Sequence, residues 1–110
     1  MMPFVVQGFF ADQGLPQAYG KSAQFTTKPA KLYYLTAFNK GSACWIELYD
    51  AASATGTPRV IPCPANGVVG WAQIHMRTGI FVRAVDAASG GALIGADDVK
   101  FDCGFTDQVV

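Results

Sequence analysis

Between residues 99 and 105 every second side chain is apolar. Val99, Phe101, Cys103 and Phe105 fall on one side, and Lys100, Asp102 and Gly104 on the other. A period of two predicts a strand with one face in a core. Residues 79–87 repeat the pattern, with Ile80, Val82 and Ala84 opposite Phe81, Arg83 and Val85. Residues 43–51 do so again, with Cys44, Ile46 and Leu48 opposite Trp45, Glu47 and Tyr49. Residues 32–39 and 68–76 are further strand candidates, and 4–10 and 23–27 are shorter ones. Lys40-Gly41-Ser42 separates two of these runs, and Gly41 can take a positive φ, so 32–51 reads as a β-hairpin. The following "ATGTPRVIPCPANG" carries Pro58, Pro62 and Pro64, which cannot donate in mid-sheet; it reads as an edge strand or a loop. No window of ten or more residues carries a helical period. Seven or eight short strands with turn signals between them predict an all-β fold: a single antiparallel β-sandwich of jelly-roll or immunoglobulin-like topology.

Composition narrows the picture. A chain of 110 residues has the size of one domain and can bury a core without metals or staples. Hydrophobic residues make up 51% and charged residues 15%; Lys+Arg and Asp+Glu balance at eight each. A neutral chain has little long-range attraction for nucleic acid or an anionic membrane, so neither is expected as a partner. Small, neutral, apolar-rich domains tend to associate. Several strands carry large side chains on both faces, as expected when one face packs inside and the other meets another chain. Residues 1–20 combine Phe4, Phe9, Phe10, Leu15 and Tyr19 with Gly8, Gly14, Gly20, Pro3 and Pro16. That segment is too apolar for a free tail and too broken for a long strand. It reads as an arm (1–20) contacting a neighbouring subunit, ahead of a sandwich domain (21–110). The opening "MMPFVVQGFFADQG" lacks the basic region and apolar length of a secretory signal, and no run approaches the roughly 20 residues of a membrane span. Synthesis in a cytoplasm is the expectation.

The residues that could carry chemistry do not assemble into a reaction. Cys44, Cys63 and Cys103 are odd in number and contain no CxxC pair; buried, reduced thiols are expected, with one disulfide plus a leftover thiol as the alternative. His75, the single histidine, has no cysteine or carboxylate cluster in sequence around it. There is no GxSxG elbow, and "SGGALIG" lacks the lysine and the strand-loop-helix context of a phosphate cradle. Asp97, Asp98 and Asp102 supply part of a calcium ligand set, or simply a turn and one outward strand position. Glu47 and Asp50 point to opposite faces of a strand and do not form an acid–base pair. "DAAS" occurs at both 50–53 and 86–89, each time ending a strand; turn chemistry accounts for the echo, with a repeated ligand loop as the functional alternative. Tyr33, Tyr34, Trp45, Tyr49 and Trp71 could form a sugar-binding platform, although aromatics on strands more often serve a core or a subunit interface. No catalytic residue, metal ligand or cofactor is assigned, and the protein is not expected to be an enzyme. The interface candidates are Phe4, Phe9, Phe10, Leu15, Tyr19, Trp45 and Trp71.

The order of phrases "KLYYLTAFNKGSACWIELYDAAS", "RVIPCPANG" and "GIFVRAVDAASGGALIGADDVKFDCGF" resembles that of small virion structural proteins of tailed bacteriophages over residues 31–105. The likeness lies in strand and turn patterns rather than in a chemical motif. It implies a β-sandwich serving as a capsid decoration (cement) protein or as a tail module. It implies a homo-oligomer, expected as a trimer, bound to the major capsid protein or another virion protein, and so a virion location after synthesis in the bacterial cytoplasm. The alternative is a carbohydrate- or receptor-binding module of a tail or fibre. The three cysteines and the "FFADQGLPQAYGK" segment have no counterpart in that pattern.

Overall fold

The computed structural model describes residues 18–107. Seven strands alternate with turns and loops: β1 (Ser22–Thr26), β2 (Ala30–Asn39), β3 (Cys44–Tyr49), β4 (Arg59–Cys63), β5 (Val68–Met76), β6 (Ile80–Val85) and β7 (Val99–Asp107). They form two antiparallel sheets, one of four strands in the order β1-β6-β3-β4 and one of three in the order β5-β2-β7. The fold is therefore the antiparallel β-sandwich that the period-two pattern predicts. Only β3 and β4 are chain neighbours within one sheet; elsewhere the chain crosses between layers, the habit of jelly-roll sandwiches. No helix long and apolar enough to cross a membrane occurs among the described residues.

The apolar alternation fills the space between the sheets. Ile46 and Leu48 from β3, Ile80 and Val82 from β6, Leu32 and Leu35 from β2, and Val99, Phe101 and Phe105 from β7 are all buried in one cluster. Each fully buried aliphatic or aromatic side chain contributes about 1.5–3 kcal/mol relative to leaving it in water. Cys44, Cys63 and Cys103 belong to the same cluster and are free thiols. The proline-rich stretch supplies β4, which among the described residues pairs with β3 alone and forms an edge of its sheet. Pro62 and Pro64 lie on or beside it, where missing N–H groups cost the sheet least.

The hairpin expected over residues 32–51 does not form. β2 pairs with β5 on one side and β7 on the other, so both of its edges are occupied, while β3 lies in the opposite sheet between β6 and β4. Asn39 is the reason. Its side chain is completely buried at the end of β2. There its Nδ2 donates to the carbonyls of Ser42 (2.8 Å) and Pro64 (3.3 Å), and its Oδ1 accepts the Gly41 N–H (2.8 Å). The Lys40 N–H then donates to the Asp98 carbonyl. These bonds bend the chain into an arch from one layer to the other instead of a turn within one sheet.

The period of two also breaks once within the three-stranded sheet. Leu32 and Leu35 are both core residues although three positions apart, and the β2–β7 register shifts between Leu32 and Tyr34. On the partner strand Trp71 and Ile74 both pack on the core, with Gln73 between them at φ 55°. β2 thus carries a bulge against β7, while β5 keeps its register with β2 and follows the irregularity through Gln73.

Candidate functional site

The two outer faces of the sandwich differ in how they are covered. On the four-stranded sheet, register places Glu47 between Val60 and Arg83. Glu47 is 4% exposed, and its Oε1 is doubly engaged: the Arg83 Nε donates to it at 2.6 Å, and the Tyr49 hydroxyl donates to the same oxygen at 2.7 Å. The Arg83 guanidinium also stands 5.5 Å from the Tyr49 ring centre. The bond to Glu47 holds the Arg83 pKa above its ordinary value, and burial followed by the Glu47 contact raises that of Tyr49. This network floors a cleft of about 390 Å³ walled by Thr57 and Pro58 on one side and Ala88, Ser89 and Gly90 on the other. Its charged groups satisfy one another across two strands, β3 and β6, which is the geometry of a structural tie.

The three-stranded sheet has a barer outer face. Leu35 and Ala37 point inward, so Tyr34, Thr36 and Phe38 point outward, level with Gly104, Asp102 and Lys100 on β7 and with Ala72, Gly70 and Val68 on β5. Tyr19 extends this face beyond β7. Its ring meets Phe38 edge-on with centres 6.4 Å apart, Lys40 Nζ lies 4.2 Å from its centre, and the adjoining Gly20 bridges to Val99. Val68 is 63% exposed and Tyr19 38%. Small residues at Gly70, Ala72 and Gly104 keep the face low between these aromatic and aliphatic side chains. The face is shallow, and apolar surface stands uncovered on it beside Lys100 and Asp102. Burial, followed by the nearby Asp102 carboxylate, raises the Tyr34 pKa.

The interface candidates fare differently. Phe4, Phe9, Phe10 and Leu15, with the strand candidate at 4–10 and most of the proposed arm, lie outside the described residues. Tyr19 sits on the bare face. Trp45 is half-buried on the outer side of β3, level with Pro62 and Val85. Trp71 is half-buried on the inner side of β5, packed on the core. The aromatics considered as a sugar platform are thus divided between two sheets. Sequence reading missed Phe38 and Val68; their register with outward-facing Lys100 is set by a bulge that alternation alone does not reveal.

Both aspartates of the repeated "DAAS" serve turns. Asp50 accepts N–H bonds from Arg77 (2.9 Å), Thr78 (2.8 Å) and Gly79 (3.3 Å), tying the end of β3 to the turn between β5 and β6. Burial alone would raise its pKa, but these three donors outweigh it and hold the carboxyl below its ordinary value. Asp86 accepts the Ala92 N–H at 3.0 Å. Asp97 faces Lys21 at 4.0 Å on the surface, and Asp102 lies on the bare face opposite Thr36. No three metal-ligating side chains converge among the described residues. His75 is exposed on β5, paired in register with Lys31.

No protein-family pattern matches the chain, and no characterised protein or solved structure is significantly similar to it.

Proposed function

We propose that this protein is a structural part of a tailed-bacteriophage virion: a capsid decoration protein that clamps capsid subunits through oligomeric contacts. The observation that carries the reading is the bare face of the three-stranded sheet, with Tyr19, Phe38 and Val68 standing around a floor of small residues. The resemblance of residues 31–105 to small virion structural proteins supports the choice of partner. A clamping part needs a rigid scaffold and contact area, and its chemistry is burial. The occupant of the bare face is a neighbouring copy of the chain in the oligomer. Tyr19 and Gly20 lie beside this face and extend it past β7. An interface of standard size, roughly 1,600 Å² in total, repeated over a lattice, holds by avidity.

The test is cryo-electron microscopy of particles made with and without this protein. Density lost from the outer surface of the head upholds the reading. Density lost from the tail alone assigns the protein to the tail module instead, and its absence from mature particles refutes both.

A further inference from the structure

Cys44 and Cys63 are direct cross-strand partners in the β3–β4 ladder, and both are buried, at 4% and 1% exposure. We propose that this pair is an oxidisable dithiol that closes to an intrachain disulfide when a hydroperoxide reaches it, stapling the edge strand β4 to β3. The inference stands apart from any virion role.

Geometry carries it. Directly opposed residues of an antiparallel pair have Cα atoms about 4.5–5.5 Å apart, inside the roughly 4.4–6.8 Å that disulfides span. Their Cβ atoms stand about 4.5–5.5 Å apart and must approach to about 3.5–4.5 Å, a movement of an ångström or less. β4 can make that movement, because it has only five residues and, among the described residues, β3 is its only partner strand. Cys103, the third thiol, pairs in register with Leu35 in the other sheet, so it is not an alternative partner within either ladder. A cleft of about 300 Å³ formed by Ala43, Cys44, Trp45, Pro62, Cys63 and Pro64 leads to the pair. It is large enough to admit hydrogen peroxide.

Burial, then the proximity of Cys63, pushes the Cys44 thiol up to about 11. Burial raises Cys63 too, and its thiol donates to the Gly67 carbonyl at 3.7 Å. Whichever of the two ionises first, the same bridge results; with Cys63 first, the steps are these. The Cys63 thiolate takes an OH group from hydrogen peroxide as the O–O bond breaks, giving a sulfenic acid and hydroxide. The Cys44 sulfur then attacks Cys63 Sγ. The S–S bond forms, the S–O bond breaks, and the departing hydroxide leaves as water with the thiol proton. In sum, two thiols lose two electrons and two protons, and one peroxide becomes two waters.

The full chain is treated with hydrogen peroxide under native conditions, then unfolded in a blocking reagent and mapped by mass spectrometry. The expected result is a chain lighter by two hydrogens, with Cys44 and Cys63 joined, Cys103 free, and accessible thiols reduced from three to one. A dithiol reductant restores all three. The Cys103→Ser variant gives the same bridge, and its two thiols fall to none. The proposal is overturned if all three thiols survive, if Cys63 proceeds to sulfinic acid without a bridge, or if the disulfide includes Cys103.

Discussion

Glu47 shows how a single residue can mislead a sequence reading. On a strand with an apolar inner face, an outward glutamate reads as solvent-exposed, yet this one is buried beside Arg83 and Tyr49. The tie rests on two neighbouring strands meeting in one register, which no local pattern encodes. Removing one partner from a buried ion pair strands the other charge, whereas replacing both with apolar groups can be neutral. Arg83→Met is expected to destabilise the fold by about 2–3 kcal/mol, somewhat below the fully buried range because Arg83 keeps a quarter of its side chain exposed. The double variant Glu47→Leu/Arg83→Met should recover most of that loss, and urea unfolding of the three proteins measures both values. Asp50 is the complementary case, a carboxylate whose partners are backbone N–H groups. Because its folded-state pKa lies below the unfolded one, its contribution is full above about pH 4 and disappears as pH falls through the folded value. Asp50→Ala should cost about 1–2 kcal/mol at neutral pH, with the gap from wild type closing as the pH falls below about pH 4. Thermal unfolding across that range tests the sign. A gap that persists unchanged at low pH contradicts the account.

At the scale of elements, the sequence makes strands plain and their partners obscure. The inner positions of β3, β6 and β7 follow directly from alternation, because one face of each is continuously apolar. The arch after β2 does not, because Lys40-Gly41-Ser42 has ordinary hairpin chemistry and only the buried Asn39 amide turns the chain to the other layer. The bare face was equally illegible, since the β2 bulge between Leu32 and Tyr34 and the left-handed Gln73 on β5 exchange inward and outward positions along the two strands. Asn39→Ala removes three hydrogen bonds at a dry site and leaves their partners unmet; a loss of about 2–3 kcal/mol is expected in chemical denaturation. Gly70 has a different constraint. A Cβ there would overlap the Leu35 carbonyl oxygen across the β2–β5 ladder, so the backbone itself must shift. Gly70→Ala should therefore loosen β5 selectively. Hydrogen exchange of the Val68–Met76 amides is expected to accelerate more than that of β3 and β6, and uniform acceleration across both sheets contradicts this.

For the molecule as a whole, the apolar residues are unevenly distributed. One outer face shelters its ion pair between loops, while the other presents Tyr19, Phe38 and Val68 with only Lys40, Lys100 and Asp102 as charges around them. The central claim is that another copy covers this second face. Val68 is exposed enough that lysine should be accepted by the isolated fold, whereas a charge buried at an interface without a partner is costly. Sedimentation velocity of the full chain, beside Val68→Lys, is the most direct test. The account predicts an oligomer of trimer mass for the wild type and an association at least about tenfold weaker for the variant, equivalent to ~1.4 kcal/mol. Wild-type protein that sediments as a monomer throughout the micromolar range, indistinguishable from Val68→Lys, would contradict it.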